Sequence, residues 1–284
     1  MFAGSGVGKS TLIGDVLSGT EADVTVLALV GERGREVRAF LDSVLTPEQA
    51  QRVVTVVATS DRPPIERYLA PFVAVTVAES LRDAGRDVLL VMDSITRFAQ
   101  ASREIGLAAG EPAAMRGYPP SFFATVPKIV ERMGRTPKGS ITGLLTVLVD
   151  GDDHNEPVSD TLRGLLDGHI VLSRELANSG HFPAIDVLAS LSRLMPELVG
   201  PRHQGFARSL RRDLAAWRDG RDLVEVGAYR PGTNPELDRA LQRRPMVEAF
   251  LRQDAGERLD LEQTVELLGA VLGENQPETA GVSA

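Results

Sequence analysis

The chain has 284 residues, 43% of them hydrophobic and 25% charged, which suits an ordinary globular protein of one large domain or a domain with a smaller appendage. It contains no cysteine, which excludes disulfides, thiolate metal sites and cysteine nucleophiles. The formal net charge of −8 argues against broad non-specific nucleic-acid binding. No apolar run reaches membrane-spanning length and no secretory signal opens the chain, so a cytoplasmic setting is the default expectation.

The chain opens MFAGSGVGKSTLIG. Ala3 to Thr11 fit a Walker A phosphate loop, with alanine in place of its first glycine. The glycines let backbone N–H groups turn inward around phosphate oxygens, and the helix predicted over 8–18 points its positive end at the same anion. Gly4, Ser5, Gly6, Val7, Gly8, Lys9, Ser10 and Thr11 are therefore candidate nucleotide-binding residues. Lys9 is expected to reach the β- and γ-phosphates, and the Ser10 hydroxyl to ligate Mg²⁺. Lysine occurs only at positions 9, 128 and 138 of this arginine-rich chain, so Lys9 stands apart.

A buried strand, VTVLALV, is predicted to end before Gly31, followed by a helix over 34–44. Between them LVGERGRE places Glu32 after a strand end and a glycine, where a loop could present it to a site. Glu32 is a candidate to orient or deprotonate a water. The same residues also read as a solvated charge run at a helix start, and spacing alone leaves both readings open.

A strand over 52–59 and a helix over 64–84 come next. DVLLVMD (87–93) is an apolar strand ending in Asp93. Many buried strands end in an aspartate that caps the next helix. Roughly 80 residues after a phosphate loop, within strand–helix alternation, the Walker B reading is the stronger, with Asp93 facing Mg²⁺. Helices over 94–108 and 121–134 and strands over 140–150 and 168–174 complete an open α/β sheet whose strands are covered on both faces.

The remaining candidates are weaker as sequence. Phe182 is more often core than ligand, and Arg193 would not be singled out. His154 and His181 have no further ligand at metal-site spacing, so no metal pair is assigned. After about residue 200 the strand signal disappears and helical spacing takes over, with Asn234-Pro235 as a helix start. The reading is an ATPase core over 1–199, a helical domain over 200–275 and a disordered tail over 276–284.

Taken together, AGSGVGKST, GERGREV, DVLLVMDSITRFAQASREIGLAAGEPA, GYPPSFFATVPKIVERMG, GSITGLLTVLVDGDDHNEPVSDTLRGLLDGHIVLSRELA and HFPAIDVLASLSRLMPELVG resemble the ATPases of type III protein export. These include the flagellum-specific ATPase and its injectisome counterparts, relatives of rotary ATP synthase subunits. The resemblance implies a RecA-like P-loop NTPase core with a parallel sheet, an all-helical C-terminal domain, and a homohexamer with ATP and Mg²⁺ at subunit interfaces. It implies Glu32 as the catalytic carboxylate, Arg33 beside it, Lys9 on the phosphates, Arg193 as an arginine finger for the adjacent subunit, and Phe182 against adenine. Tyr118, Pro119 and Pro120 fall in a region expected to face a central pore.

The implied partners are chaperone–substrate complexes, a central coiled-coil stalk protein, a regulator and the membrane export gate, with no nucleic acid. The implied location is the cytoplasmic face of the export apparatus. Family members carry about 150 residues before the phosphate loop, including a small β-barrel and the strand leading into the loop. The chain is accordingly expected to be N-terminally truncated, to lack that first strand, and to be a poor ATPase. A nucleotide-binding regulatory subunit, an inactive fragment and an RNA-driven motor are the competing readings. Glu32 favours the enzyme over the regulatory subunit, and the acidic balance counts against the RNA motor.

Overall fold

The computed structural model of the chain describes residues 1–149, 156–254 and 256–273. From the start run β1 (Phe2–Ala3), α1 (Lys9–Gly19), β2 (Val24–Val30), α2 (Gly34–Val44), α3 (Pro47–Ala50), β3 (Val53–Ala58), α4 (Pro64–Asp83), β4 (Asp87–Asp93) and α5 (Ile95–Ala108). After a 3₁₀ turn at Met115–Gly117 come α6 (Pro120–Val130), β5 (Gly134–Arg135), β6 (Ser140–Leu145) and β7 (Val147–Leu148). Then follow α7 (Pro157–Leu165), β8 (Gly168–His169), β9 (Val171–Leu172), α8 (Arg174–Asn178), β10 (Leu191–Ser192) and α9 (Met195–Leu198). Three longer helices close the described chain: α10 (Pro201–Glu225), α11 (Pro235–Leu251) and α12 (Leu261–Val271).

The strands run in the order β3-β2-β4-β6, all parallel, with β5 antiparallel at the β6 edge. β1 lies parallel between β7 and β9. Since β6 and β7 are consecutive along one stretch of chain, the two groups are joined at Thr146. Thr146 N donates to Met92 O of β4 at 3.0 Å, and the next residue, Val147, donates to Met1 O at 2.8 Å. One extended segment thus passes from the β4 ladder to the β1 ladder. This handover sets the end of β4 beside the loop that follows β1.

The uninterrupted apolar runs of β2 and β4 follow from burial on both faces. Val26, Ala28 and Val30 pack with Val88, Leu90, Met92, Phe98 and Phe122 on one side. Leu27, Leu29, Leu89 and Val91 pack with Ile13, Leu17 and Val37 on the other. Alternate residues feed opposite cores, so neither face can be polar.

Three expectations are corrected. The strand leading into the phosphate loop is present as β1: Phe2 N donates to Ile170 O at 2.8 Å and Val149 N to Ala3 O at 3.0 Å. Two residues suffice because the flanking strands β7 and β9 are equally short, so the loop's base has its ladder bonds on both sides. The strands expected over 140–150 and 168–174 are each broken, at Thr146 and at Ile170, because each changes partner there: β8 pairs antiparallel with β10, and β9 pairs parallel with β1. Asp150 itself lies outside the described residues. β3 is not covered on both faces, since Val54 and Val57 are exposed on this edge strand.

α10, α11 and α12 enclose their own core of Phe206, Leu210, Val247, Leu268 and Leu272. Asn234 caps α11, its side chain accepting from the N–H groups of Glu236 and Leu237, with Pro235 in the first turn. Asp213, 3% exposed, accepts from Arg239 Nε at 2.9 Å and Arg243 Nη1 at 3.1 Å and so ties α10 to α11. The expected tail over 276–284 lies outside the described residues.

Phe2 is 0% exposed and lies on β1, between β7 and β9. Phe2→Ala should cost about 3–5 kcal/mol in urea unfolding, because the paired strands cannot collapse around the void. Val226→Ala, at an exposed position, should stay within about 0.5 kcal/mol.

Candidate nucleotide-binding site

Gly8 stands just before α1 with φ +91°, a left-handed conformation that glycine adopts without strain. It turns the chain from loop into helix without a side-chain cap, so the first N–H groups of α1 are not claimed by a capping side chain. Val7 is buried in the core beneath the loop, while Ser5, Gly6, Ser10 and Thr11 are exposed. A cleft of about 730 Å³ opens over this loop, lined by Gly4, Ser5, Gly6, Gly8, Lys9, Ser10 and Thr11, with Glu32, Arg33, Asp93 and Arg97 facing them.

Lys9 donates to Asp93 Oδ1, and the two side chains are 12% and 8% exposed. A lysine and an aspartate this deep each need a partner, and here each offsets the other's lost hydration. Thr146 donates its hydroxyl proton to the same Asp93 oxygen at 2.7 Å. Asp93 is therefore no helix cap; Ser94 performs that task, its side chain accepting from Arg97 N.

Glu32 enters the cleft through Gly31, whose φ of +71° turns the chain at the end of β2. A Cβ on Gly31 would lie 2.7 Å from Arg97 Cβ, so the close approach also requires glycine. Burial raises the Glu32 carboxyl above the ordinary glutamate value. The negative Asp93 raises it further, while Lys9 and Arg97 oppose the shift. Of the two open readings of GERGRE, Glu32 takes the cleft and Arg33 and Glu36 form a 3.0 Å surface pair at its rim.

Phe182 is 47% exposed and stands beside the phosphate loop, 3.7 Å from where a Gly8 Cβ would be. Its carbonyl accepts from Gln253 N just past α11, at 2.9 Å. Arg193 lies outside its own chain's cleft. Its guanidinium donates to Arg163 O at 2.9 Å and Gly164 O at 3.4 Å, capping the last turn of α7. The expected pore segment is mostly internal: Tyr118 and Pro119 are buried and only Pro120 is exposed. The Tyr118 hydroxyl donates to Glu156 at 3.1 Å and its ring packs on Phe122.

Arg97 and Thr146 bear on the site and were not found from sequence. Arg97 lines the cleft, one turn into α5 after Asp93, and its Nη1 donates to Gln100 at 3.1 Å. Thr146 left one signal, a lone hydroxyl in the apolar run GLLTVLV, and such a hydroxyl needs a partner when buried. His181 is buried, which pushes its imidazole below the usual value. His154 lies outside the described residues, and among those described no three His, Asp or Glu cluster as a metal site. No described helix is long and apolar enough to cross a membrane.

The family model of the ATP synthase alpha/beta family, nucleotide-binding domain, matches residues 1–192, and that of the type III secretion EscN ATPase C-terminal domain matches residues 199–270. The flagellum-specific ATP synthase of Bacillus subtilis is 50% identical over 276 residues, which are 97% of this chain and 63% of that protein. The assembled ATPase EscN of the enteropathogenic E. coli type III secretion system superposes with a TM-score of 0.92 at 48% identity, covering 95% of this chain and 66% of that one. EscN in complex with its central stalk EscO gives 0.88 at 47% identity, covering 95% and 65%. The chain thus spans about 63% of the length of the curated flagellar relative it matches. With its phosphate loop, its acidic strand end and its parallel sheet all in place, the chain belongs to the ATP synthase alpha/beta family.

Proposed function

We propose that this chain hydrolyses ATP in the service of type III protein export, as the catalytic subunit of a homohexamer. The observation that carries the reading is the convergence of Lys9, Asp93 and Glu32 in one cleft above a glycine loop and a helix start. The loop N–H groups and α1 would cradle the phosphates, with Lys9 reaching the β- and γ-phosphates. Ser10 and Asp93 present hard oxygen donors of the kind Mg²⁺ takes, and they fit it as hydroxyl ligand and outer carboxylate. Mg²⁺ held by these residues would supply positive charge to offset the negative charge that develops on the phosphates.

Glu32 would orient the attacking water and accept its proton, with Arg33 near the γ-phosphate. Arg193 is proposed as the finger that enters the adjacent subunit's cleft, which agrees with its exposure and its distance from its own. Phe182 is proposed to pack against the adenine, a role supported by its exposure beside Gly8. The proposed partners are chaperone–cargo complexes, a central stalk protein, a regulator and a membrane export gate, with the enzyme peripheral at the cytoplasmic face. The stalk is supported by the EscN–EscO assembly. Flagellar export is the proposed setting and injectisome secretion the alternative, since identity to the two kinds of relative is nearly equal.

Glu32→Gln and Arg193→Ala should each lose hydrolysis, by at least about a hundredfold, while ATP binding stays within a few-fold. Mixing the two inactive proteins should restore a measurable fraction of the rate, because an interface then forms with both Glu32 and Arg193 intact. No recovery on mixing, or loss of ATP binding in Glu32→Gln, would refute these roles.

The raised Glu32 carboxyl also sets a pH dependence. Hydrolysis needs the carboxylate, so the acid limb of the rate should lie above the ordinary glutamate value, near 4.5, and vanish from the residual rate of Glu32→Gln. For stability the sign is opposite. A carboxyl raised on folding costs stability in full above its folded value, and the cost is relieved as pH falls through that value toward the unfolded one. Glu32→Gln should therefore be more stable than the parent at neutral pH, with the gap closing in acid.

A further inference from the structure

The hydrolytic scheme leaves one buried group of the site without a task. Thr146 is 0% exposed and does not line the cleft. Its hydroxyl lies 2.7 Å from Asp93 Oδ1 and 3.3 Å from Met92 O. A hydroxyl has one proton, and the nearer, charged acceptor takes it. The main chain of Thr146 is pinned on both flanks of Asp93: its N–H donates to Met92 O, and its carbonyl accepts from Ile95 N, each at 3.0 Å. The direction of the hydroxyl is thereby fixed relative to the carboxylate it holds.

Asp93 Oδ1 has a second partner in Lys9. The two partners differ in what nucleotide does to them. Phosphates entering the loop compete for the Lys9 charge, and Lys9 lies at the cleft surface where they arrive. Thr146 lies behind Asp93 and meets no such competitor. A neutral donor also leaves the carboxylate its full negative charge for a divalent cation, whereas a second cation would offset it.

We propose that Thr146 is a positioning residue for the metal site: its hydroxyl holds the Asp93 carboxylate in place when Lys9 turns to the phosphates. Thr146 touches neither nucleotide nor metal and acts through Asp93. The proposal rests on the nucleotide-site reading above and names the residue that reading lacked. Because Thr146 also occupies the point where the strand passes from β4 to β1, the carboxylate's orientation is fixed by the same residue that joins the two ladders.

The test uses fluorescently labelled ADP on the purified 284-residue protein, bound first in EDTA and then across a Mg²⁺ titration. Thr146→Val keeps the shape and removes the hydroxyl; Thr146→Ser keeps the hydroxyl. All three proteins should bind labelled ADP within about twofold of one another in EDTA. In Thr146→Val the Mg²⁺ half-saturation should rise about 10- to 100-fold, the usual effect of removing a partner behind a metal ligand, and in Thr146→Ser it should stay near the parent. If Thr146→Val does not fold, Thr146→Ala is read in the same way. An unchanged Mg²⁺ dependence, or an equal loss with and without Mg²⁺, would overturn the proposal in favour of a packing role. A parent protein that binds no labelled ADP at any Mg²⁺ concentration would overturn the nucleotide-site reading and this role with it.

Discussion

The ion pair between Lys9 and Asp93 joins two segments that are distant in sequence and must be adjacent for any phosphate chemistry. At that depth each charge needs a partner, and in this structure each is the other's. The pair forms only if the loop after β1 and the end of β4 are level with each other. That in turn needs β1 in the sheet and a strand between it and β4. The chain meets the requirement with one segment, β6 followed by β7, which bonds first to β4 and then to β1. The cleft opens beyond the carboxyl ends of these parallel strands, where an open α/β sheet presents its ligand site.

The same economy runs through the rest of the site. Gly31 gives Glu32 its turn and also makes room for the stem of Arg97. Phe182 flanks the phosphate loop on one side and is bonded through its carbonyl to the end of α11 on the other. Arg174 donates to Ser5 O of the loop at 3.1 Å, while its neighbour Glu175 pairs with Arg221 of α10 at 2.7 Å. The helical region is thus tied by side chains to the segment that borders the nucleotide cleft.

Much of this was legible in the residues. AGSGVGKST, DVLLVMD and the two-sided apolar strands each encode a local requirement: backbone freedom around an anion, an acid at a strand end, burial on both faces. β1 was not legible, because two residues carry no periodicity and their strand character is imposed by β7 and β9. The breaks at Thr146 and Ile170 were not legible either, since an apolar run says that a segment is buried and not which neighbour it bonds. GERGRE left Glu32 undecided for a similar reason. Its charge pattern suits a solvated helix start, and the left-handed Gly31 and the shape of the cleft decide which acid turns inward. Arg193 and Phe182 carried no local signal and were identified only through resemblance.

The central claim is that nucleotide is held between the loop after β1 and the end of β4. Amide hydrogen exchange of the chain with and without ATP and Mg²⁺ tests it most directly. The account predicts slowed exchange over residues 4–12 and 31–37, with little change along α10 to α12 beyond their contact with the Phe182 segment. Protection confined to the helical region, with none over residues 4–12, would contradict it.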